Sequence, residues 1–186
     1  QAPWPGNIRQ LTNLAERAVL QARRGDHNIS ALLIDDGFQA PSFTLDAEKP
    51  TEPFHLFLPR ERDHEYSVED LGDRFVVRTN WQAKNFRLMV APAATTSDRA
   101  TWRDLAAHRD DIFIDDFEAF PGFVAIAERS MGLRRLRILP LDGSGERYVE
   151  SDEPDSTAWL AYNAEQATTK LRYGFTSLRT PESTFE

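Results

Sequence analysis

The stretch FHLFLPRERDHEYSVEDLGDRFVVRTNWQAKNFRLMVAP, residues 54–92, decides the fold class of this chain. It contains four short apolar segments separated by polar turns, which predict strands at residues 55–58, 65–69, 74–78 and 86–90. The segment RFVVRT alternates imperfectly, which is typical of a strand covered on both faces. Four antiparallel strands within about forty residues match the size of one propeller blade.

The same pattern of short strands and turns continues downstream. After a loop with a short helical turn at residues 95–108, strands are predicted at 111–114, 117–120, 123–128, 133–139, 146–149, 158–162, 170–175 and 183–186. The segments PG (121–122), SMG (130–132) and DGSG (142–145) are predicted turns. At about 45 residues per blade, residues 43–186 make roughly three blades of an incomplete β-propeller. Turns at such intervals also suit a β-sandwich.

Residues 7–24 have the period of an α-helix instead. Apolar side chains recur there on one helical face (Ile8, Leu11, Leu14, Ala15, Ala18, Val19 and Ala22). Gly25 supplies a stop signal after them. We therefore predict a mainly β chain with a helical segment at residues 1–40 and a partial β-propeller at 41–186. Because Gln1 is not a start methionine, we also expect the chain to be part of a longer protein.

The composition narrows the class of partner. The net charge is −8, and an acidic surface disfavours nucleic-acid binding and favours cationic ligands. Cysteine is absent, which excludes disulfides and thiolate metal sites and fits a reducing, cytoplasmic compartment. No run of about 18 apolar residues occurs, so no membrane span is predicted.

Six groups of motifs, collinear over residues 43–186, carry a family resemblance. They are RERDHEY (60–66), DRF and RTN (73–75, 78–80), AKNFRL (83–88), WRDL and HR (102–105, 108–109), ER and GLRRLR (128–129, 132–137), and LRYGFTSL and TP (171–178, 180–181). Together they resemble oligopeptidase B, in the prolyl oligopeptidase family of serine peptidases. The resemblance implies the later part of a seven-bladed propeller that caps an α/β-hydrolase domain. It also implies a role as a gate for small peptides, which the hydrolase cleaves after Lys or Arg, and no cofactor.

A second resemblance covers residues 3–36. The segments WPGNIRQL (4–11) and NLAERA (13–18) are similar to a motif in the AAA+ lid of sigma-54-dependent transcription activators. In that family the arginine that corresponds to Arg9 senses the nucleotide phosphates. The phosphate-binding loop G-x-x-x-x-G-K-[ST] does not occur in this sequence. We therefore expect Arg9 to be a solvated helix residue here.

The sequence predicts no catalytic or metal-binding residue. A hydrolase nucleophile lies in a G-x-S-x-G motif, which is absent. Ser144 between two glycines is the nearest similar position, but Asp142 and Glu146 around it indicate a polar turn. The histidines (His27, His55, His64 and His108) lack the spacing of a metal site. His64, between two acidic residues, is predicted to be an exposed turn residue.

Two charged features have the chemistry of binding sites. The acidic groups at residues 110–111, 115–116 and 152–155 can hold a divalent cation or a substrate guanidinium, but their places beside strands favour solvated turns. Arg134, Arg135 and Arg137 are predicted to form a basic stripe on one strand, suited to interdomain ion pairs or peptide carboxylates.

The leading interpretation is a gating propeller segment without peptidase activity of its own. A stand-alone β-rich binding module is the alternative, because three blades cannot close a ring and their open edges invite self-association. A remnant of a transcription activator is a third.

Overall fold

The computed structural model describes residues 43–44, 55–59, 61–165 and 167–186. They belong to two separate units, one ending at Glu61 and one comprising Arg62–Glu186. In the first unit, strand β1 (Phe43–Thr44) pairs antiparallel with β2 (His55–Leu56). The helix predicted at residues 7–24 and the boundary predicted near residue 40 lie outside the described residues, so both stay predictions.

The first full sheet contains β3 (Tyr66–Asp70), β4 (Arg74–Thr79), β5 (Arg87–Pro92) and β6 (Arg103–Ala106), in that order. All neighbours in it are antiparallel. The buried pattern of β4 confirms that this strand is covered on both faces.

The four strands predicted for this first sheet were wrong by one position in the chain, because the sheet begins and ends one strand later. Residues 55–56 pair with β1 rather than with β3. The fourth strand is β6, within a segment predicted to be a loop. Two 3₁₀ turns (Ala93–Thr95 and Arg99–Thr101) separate it from β5. The sequence signal of β6 is weak because Arg103 and Asp104 are both exposed, and because its register against β5 is irregular.

The second sheet has the order β10-β9-β8-β7. Its strands are β7 (Phe113–Phe120), β8 (Phe123–Ser130), β9 (Leu133–Pro140) and β10 (Arg147–Tyr148). The two strands predicted at residues 111–114 and 117–120 are one strand, whose register shifts between Ile114 and Asp116. Such a shift is a β-bulge, in which one strand contains an extra residue. The bulge interrupts the alternation of apolar and polar residues, so the sequence predicted two strands instead of one.

The third sheet is formed by β11 (Thr157–Leu160), β12 (Tyr173–Thr176) and β13 (Ser183–Phe185). Trp159 lies opposite Gly174 in the register of β11 and β12. The indole lies so close to the glycine that a Cβ atom there would be 2.2 Å from Trp159 Cε2. Glycine at this position therefore allows the tryptophan to cover the strand.

Buried apolar side chains join the sheets. Val76, Leu88 and Ala106 of the first sheet, with Phe86 just before β5, pack with Ile114, Phe117, Ala119, Val124 and Ile126 of the second. Ala127 and Leu136 of the second sheet pack with Ala158 of the third, and Tyr173 and Phe175 border that cluster. Full burial of a large apolar side chain contributes about 1.5–3 kcal/mol. The second sheet is therefore held on both faces. Within the described ranges, no helix is long and apolar enough to cross a bilayer.

Candidate functional site

The three full sheets approach one another through one edge strand each. Strands β3, β7 and β11 are each the first strand of their sheet in the chain and each lie at a sheet edge. β7 contacts both β3 and β11. Glu69 on β3 and Asp116 and Glu118 on β7 form what we call the acidic edge. It brings three carboxylates from two sheets into one electrostatic group.

Glu69 connects the first sheet to the second. Its carboxylate accepts a hydrogen bond from the backbone N–H of Ala119 on β7. The pKa of Glu69 is raised to about 7, mainly by burial and also by the charges of Glu118 and Asp116, while the Ala119 N–H opposes this rise. A carboxylate with this pKa is partly protonated near neutral pH and becomes fully charged when a cation approaches.

Glu118 connects the second sheet to the third. Its Oε2 accepts a hydrogen bond of 2.6 Å from Nδ2 of Asn163, which follows β11. The Asn163 side chain also donates to the Ala161 carbonyl and accepts from the Arg172 backbone N–H, so the amide is fixed in orientation. The pKa of Glu118 is raised to about 7, mainly by burial and also by the charge of Asp116, while the Asn163 bond opposes this rise.

Asp116 and Arg78 complete the edge. Burial raises the pKa of Asp116, while a bond from the Phe117 backbone N–H (2.9 Å) and the charge of Arg78 lower it. Arg78 Nε donates to the Ile114 carbonyl at 2.9 Å, and its guanidinium lies 3.5 Å from the centroid of the Phe86 ring. Of the three carboxylates of the acidic edge, Arg78 interacts with Asp116, so the edge keeps an excess of negative charge.

The bulge in β7 separates Asp115 from this group. Asp115 Oδ1 accepts a 2.6 Å bond from Arg129 Nη2, and Arg134 Nε lies 3.3 Å from Oδ2. The turn predicted at residues 115–116 was wrong, because both residues lie inside β7, although Asp116 is exposed as predicted. The extra residue of the bulge turns Asp115 towards the arginines and leaves Asp116 with the acidic edge.

The acidic edge has the chemistry to bind an organic cation. In the part of the chain that the structure describes, no group of three or more His, Cys, Asp and Glu side chains has the geometry to hold a metal ion. A guanidinium or ammonium group needs only acceptors at hydrogen-bonding distance and an excess of negative charge. The side chains of Lys and Arg in a peptide supply such cations.

Other predicted acidic sites have partners within the chain. Asp110 lies 3.2 Å from Lys84 Nζ, and Asp111 forms a 2.8 Å ion pair with Arg109 that lowers its pKa. Glu153 accepts bonds from the hydroxyls of Ser177 and Thr180, which lower its pKa. These contacts favour structural roles for the three carboxylates.

Ser144 lies in the exposed turn between β9 and β10, where its backbone N–H donates to Asp142 Oδ1 at 2.9 Å. The prediction of a polar turn at this place is confirmed. Arg9 and His27 lie outside the described residues, so the roles predicted for them stay predictions.

The prediction that His64 is exposed was wrong. His64 is 8% exposed, and its Nε2 bonds Thr79 Oγ1 at 2.8 Å. Its Nδ1 lies 3.0 Å from Arg99 Nη2. Arginine can only donate, so Nδ1 accepts and Nε2 carries the proton that is donated to Thr79. Long-range partners bury this residue, and its acidic sequence neighbours gave no sign of them.

The three arginines of β9 do not form one stripe. Arg137 is buried in an ion pair with Glu128 and bonds Glu146 Oε2 at 2.6 Å. Tyr148 donates its hydroxyl to the other oxygen of Glu128. Arg134 projects from the opposite face of β9 towards Asp115, because successive side chains of a strand alternate. The predicted basic stripe was therefore wrong.

Sequence reasoning missed Glu69, Glu118 and Asn163. The two glutamates lie in strands that were largely predicted, at positions where buried side chains surround a charge. A charged residue within a buried strand is the signal that could have identified them. Asn163 lies 45 residues from Glu118, and no local pattern links the two.

Known proteins match most of the chain. A family model described as "Prolyl oligopeptidase, N-terminal beta-propeller domain" matches residues 19–186. Dipeptidyl aminopeptidase BI of Pseudoxanthomonas mexicana is 47% identical over 134 residues, which are 72% of this chain and 18% of that protein. Protease 2 of Moraxella lacunata is 26% identical over 141 residues, 76% of this chain and 20% of that protein. The chain thus spans about a fifth of the length of these relatives.

Solved structures of oligopeptidase B have the same fold. The enzyme from Trypanosoma brucei, in a closed form with covalently bound antipain, has a TM-score of 0.71 and 26% identity, over 77% of this chain and 22% of that one. The enzyme from Leishmania major has a TM-score of 0.64 and 25% identity, over 86% of this chain and 22% of that one. These likenesses confirm a mainly β partial propeller. None of the relatives named here is a transcription activator, and the family match begins inside residues 3–36, so the AAA+ resemblance has no support from them. Over residues 19–186, the chain belongs to the N-terminal β-propeller domain family of the prolyl oligopeptidases.

Proposed function

We propose that this chain forms part of the propeller that gates an α/β-hydrolase domain in an oligopeptidase-B-like serine peptidase. The hydrolase domain would supply the nucleophile and cleave small peptides after Lys or Arg, so the chain alone has no peptidase activity. The family match and the likeness to oligopeptidase B support this proposal. A cytoplasmic location belongs to the same proposal.

The acidic edge is the observation that carries the choice of substrate. Burial and the charge of Asp116 hold both Glu69 and Glu118 near their protonation midpoint at neutral pH. A peptide cation beside them would favour the charged form of both carboxylates. Binding would therefore release protons, as linkage between charge and ligand requires. A neutral peptide would have no such effect.

The acidic edge can be tested with peptides that differ only in charge. The 186-residue chain is titrated calorimetrically with a short peptide that contains two arginines and with its citrulline analogue, which has the same shape without the charge. We expect the arginine peptide to bind and the citrulline analogue not to bind. Glu69→Gln or Glu118→Gln should weaken it by about 1 kcal/mol each, or about fivefold. Equal binding of the two peptides would contradict the proposal.

Glu182→Gln is the matched control, because Glu182 is exposed and lies outside the acidic edge. It changes the net charge by the same amount, so a similar loss of affinity in this variant would assign the effect to overall charge. Peptidase activity is tested separately with an Arg-amide substrate. Turnover by the chain alone at the rate of a complete oligopeptidase would contradict the gating role.

A second candidate function, self-association through a sheet edge, rests on β13. This strand pairs with β12 on one side, and on its other side no described strand pairs with it. An unpaired edge has free N–H and C=O groups that can bind another strand. Sedimentation over a range of concentrations distinguishes the two outcomes, since a constant monomer mass would exclude this function.

A further inference from the structure

A cleft lies between the second and third sheets, away from the acidic edge. Its volume is about 360 Å³, and it is lined by residues of β9, β10, β11 and β12 and of the segment between β10 and β11. The small side chains of Ala127 and Ala158 lie at this junction, whereas Phe86 and Phe117 fill the junction of the first and second sheets. The cleft is within the range of small-ligand sites, about 300–1,000 Å³.

Side chains of both charge signs line the cleft. Arg134 projects from the same face of β9 as Leu136, which packs on Ala158. Arg134 Nε lies 3.3 Å from Asp115 Oδ2, and the Arg134 side chain is 52% exposed. A guanidinium has five N–H donors, more than one carboxylate oxygen can accept. Glu150 and Asp152 also line the cleft, and both are exposed. Among the described residues, no ion pair within 4.0 Å joins these acids to Arg134.

The floor of the cleft is apolar. Val149, Ala158 and Phe175 line it, and all three belong to the cluster that joins the second and third sheets. A cation, two anions and apolar side chains within one cleft are complementary to a zwitterion with an apolar side chain. A guanidinium binds a carboxylate through paired N–H donors, and carboxylates bind an ammonium group.

We propose that this cleft binds a short free peptide, with the peptide carboxylate on Arg134 and the peptide ammonium on Glu150 and Asp152. Such a molecule has the chemistry of a peptidase product, since cleavage leaves one peptide with a new carboxylate and one with a new ammonium group. The site is distinct from the acidic edge, because no residue is shared between them. Its ligand needs no basic side chain, so this proposal and the proposed function can fail separately.

The test uses the free dipeptide Ala-Phe, its N-acetyl derivative and its C-terminal amide, each titrated into the full chain by calorimetry. We expect the free dipeptide to bind, and each blocked form to bind at least about tenfold more weakly, because one charge-assisted contact is lost. In Arg134→Gln, the free dipeptide and its amide should bind equally weakly, since the carboxylate partner is gone. In Glu150→Gln/Asp152→Asn, the free and the N-acetyl dipeptides should bind equally weakly, since the partner of the ammonium group is gone.

Arg147→Gln is the control, because Arg147 is an exposed arginine outside the cleft and should leave all affinities unchanged. The thermal unfolding midpoint of each variant shows whether it is folded. No saturable binding of Ala-Phe up to about 10 mM would overturn the proposal. Equal affinity for the free and blocked peptides in the parent chain would also overturn it, as would unchanged discrimination in a folded Arg134→Gln.

Discussion

Asn163 donates its side-chain amide to Glu118 at 2.6 Å, and this bond joins the segment after β11 to the edge strand of the neighbouring sheet. The same amide bonds two backbone carbonyls, and its oxygen accepts the Arg172 N–H. One side chain thus fixes both the end of the third sheet and the orientation of a carboxylate in the acidic edge.

Replacing Asn163 should weaken this junction. Asn163→Ala removes a bond to a charged group and leaves backbone groups without a partner, so we expect a loss of about 2–3 kcal/mol in the free energy of unfolding. Urea denaturation measures it. A double-mutant cycle with Glu118→Ala should give a coupling energy above about 0.5 kcal/mol. Strict additivity of the two changes would show that the bond does not contribute.

The acidic edge should make the stability of the chain depend on pH. Glu69 and Glu118 have pKa values raised from 4.5 to about 7 in the folded state. Between these values the folded chain binds more protons than the unfolded chain. The stability that the two groups contribute is therefore complete below about pH 4.5 and is lost as the pH rises through 7.

The neutral variant Glu69→Gln/Glu118→Gln should remove that dependence. We expect its unfolding midpoint in urea to exceed that of the parent at pH 8 and to change less between pH 5 and pH 8. Each glutamine oxygen can still accept the bond from Ala119 or Asn163. Glu182→Gln should keep the parental slope. A parental slope in the double variant would contradict the shifted pKa values.

Gly174 should tolerate no side chain. In Gly174→Ala the new Cβ would lie 2.2 Å from Trp159 Cε2, so the indole must move off β12. We expect a loss of about 1–3 kcal/mol, the usual cost of overpacking. Gly122→Ala is the control, because no atom lies within 4 Å of its added Cβ. Thermal unfolding compares the two variants, and equal midpoints would show that the indole adjusts without cost.

Removing only one charge of the Glu128–Arg137 pair should lower the free energy of unfolding strongly. The side chains are 2% and 7% exposed, so Arg137→Met leaves a buried carboxylate without its cation. A loss of about 3–5 kcal/mol is expected. Glu128→Met/Arg137→Met, which removes both charges, should recover most of that loss. If the double variant is as unstable as the single one, packing rather than charge explains the effect.

Local sequence signals predicted the fold class, strands β8 and β9, and the turn between these strands. β8 begins with five apolar residues, and the Met131-Gly132 turn that follows it has positive φ at both residues. β6 was missed because half of its side chains are exposed and charged. The bulge at Asp115 was read as a turn because the residues around it, Asp115 and Asp116, are those that turns favour.

The candidate site was not predictable in the same way. Glu69 meets Ala119, and Glu118 meets Asn163, across separations of 50 and 45 residues. These contacts depend on how one sheet lies against the next, and periodicity within a strand carries no information about that. The burial of His64 by Thr79 and Arg99 was missed for the same reason.

Each full sheet is built from one uninterrupted stretch of chain. Its hydrogen bonds therefore close short loops, which costs little conformational entropy, and each sheet can begin to form without waiting for the others. The second sheet has the longest strands and packs against both neighbours. We expect it to be the folding nucleus, with the slowest hydrogen exchange in its central strands, and the flanking sheets to assemble on it afterwards.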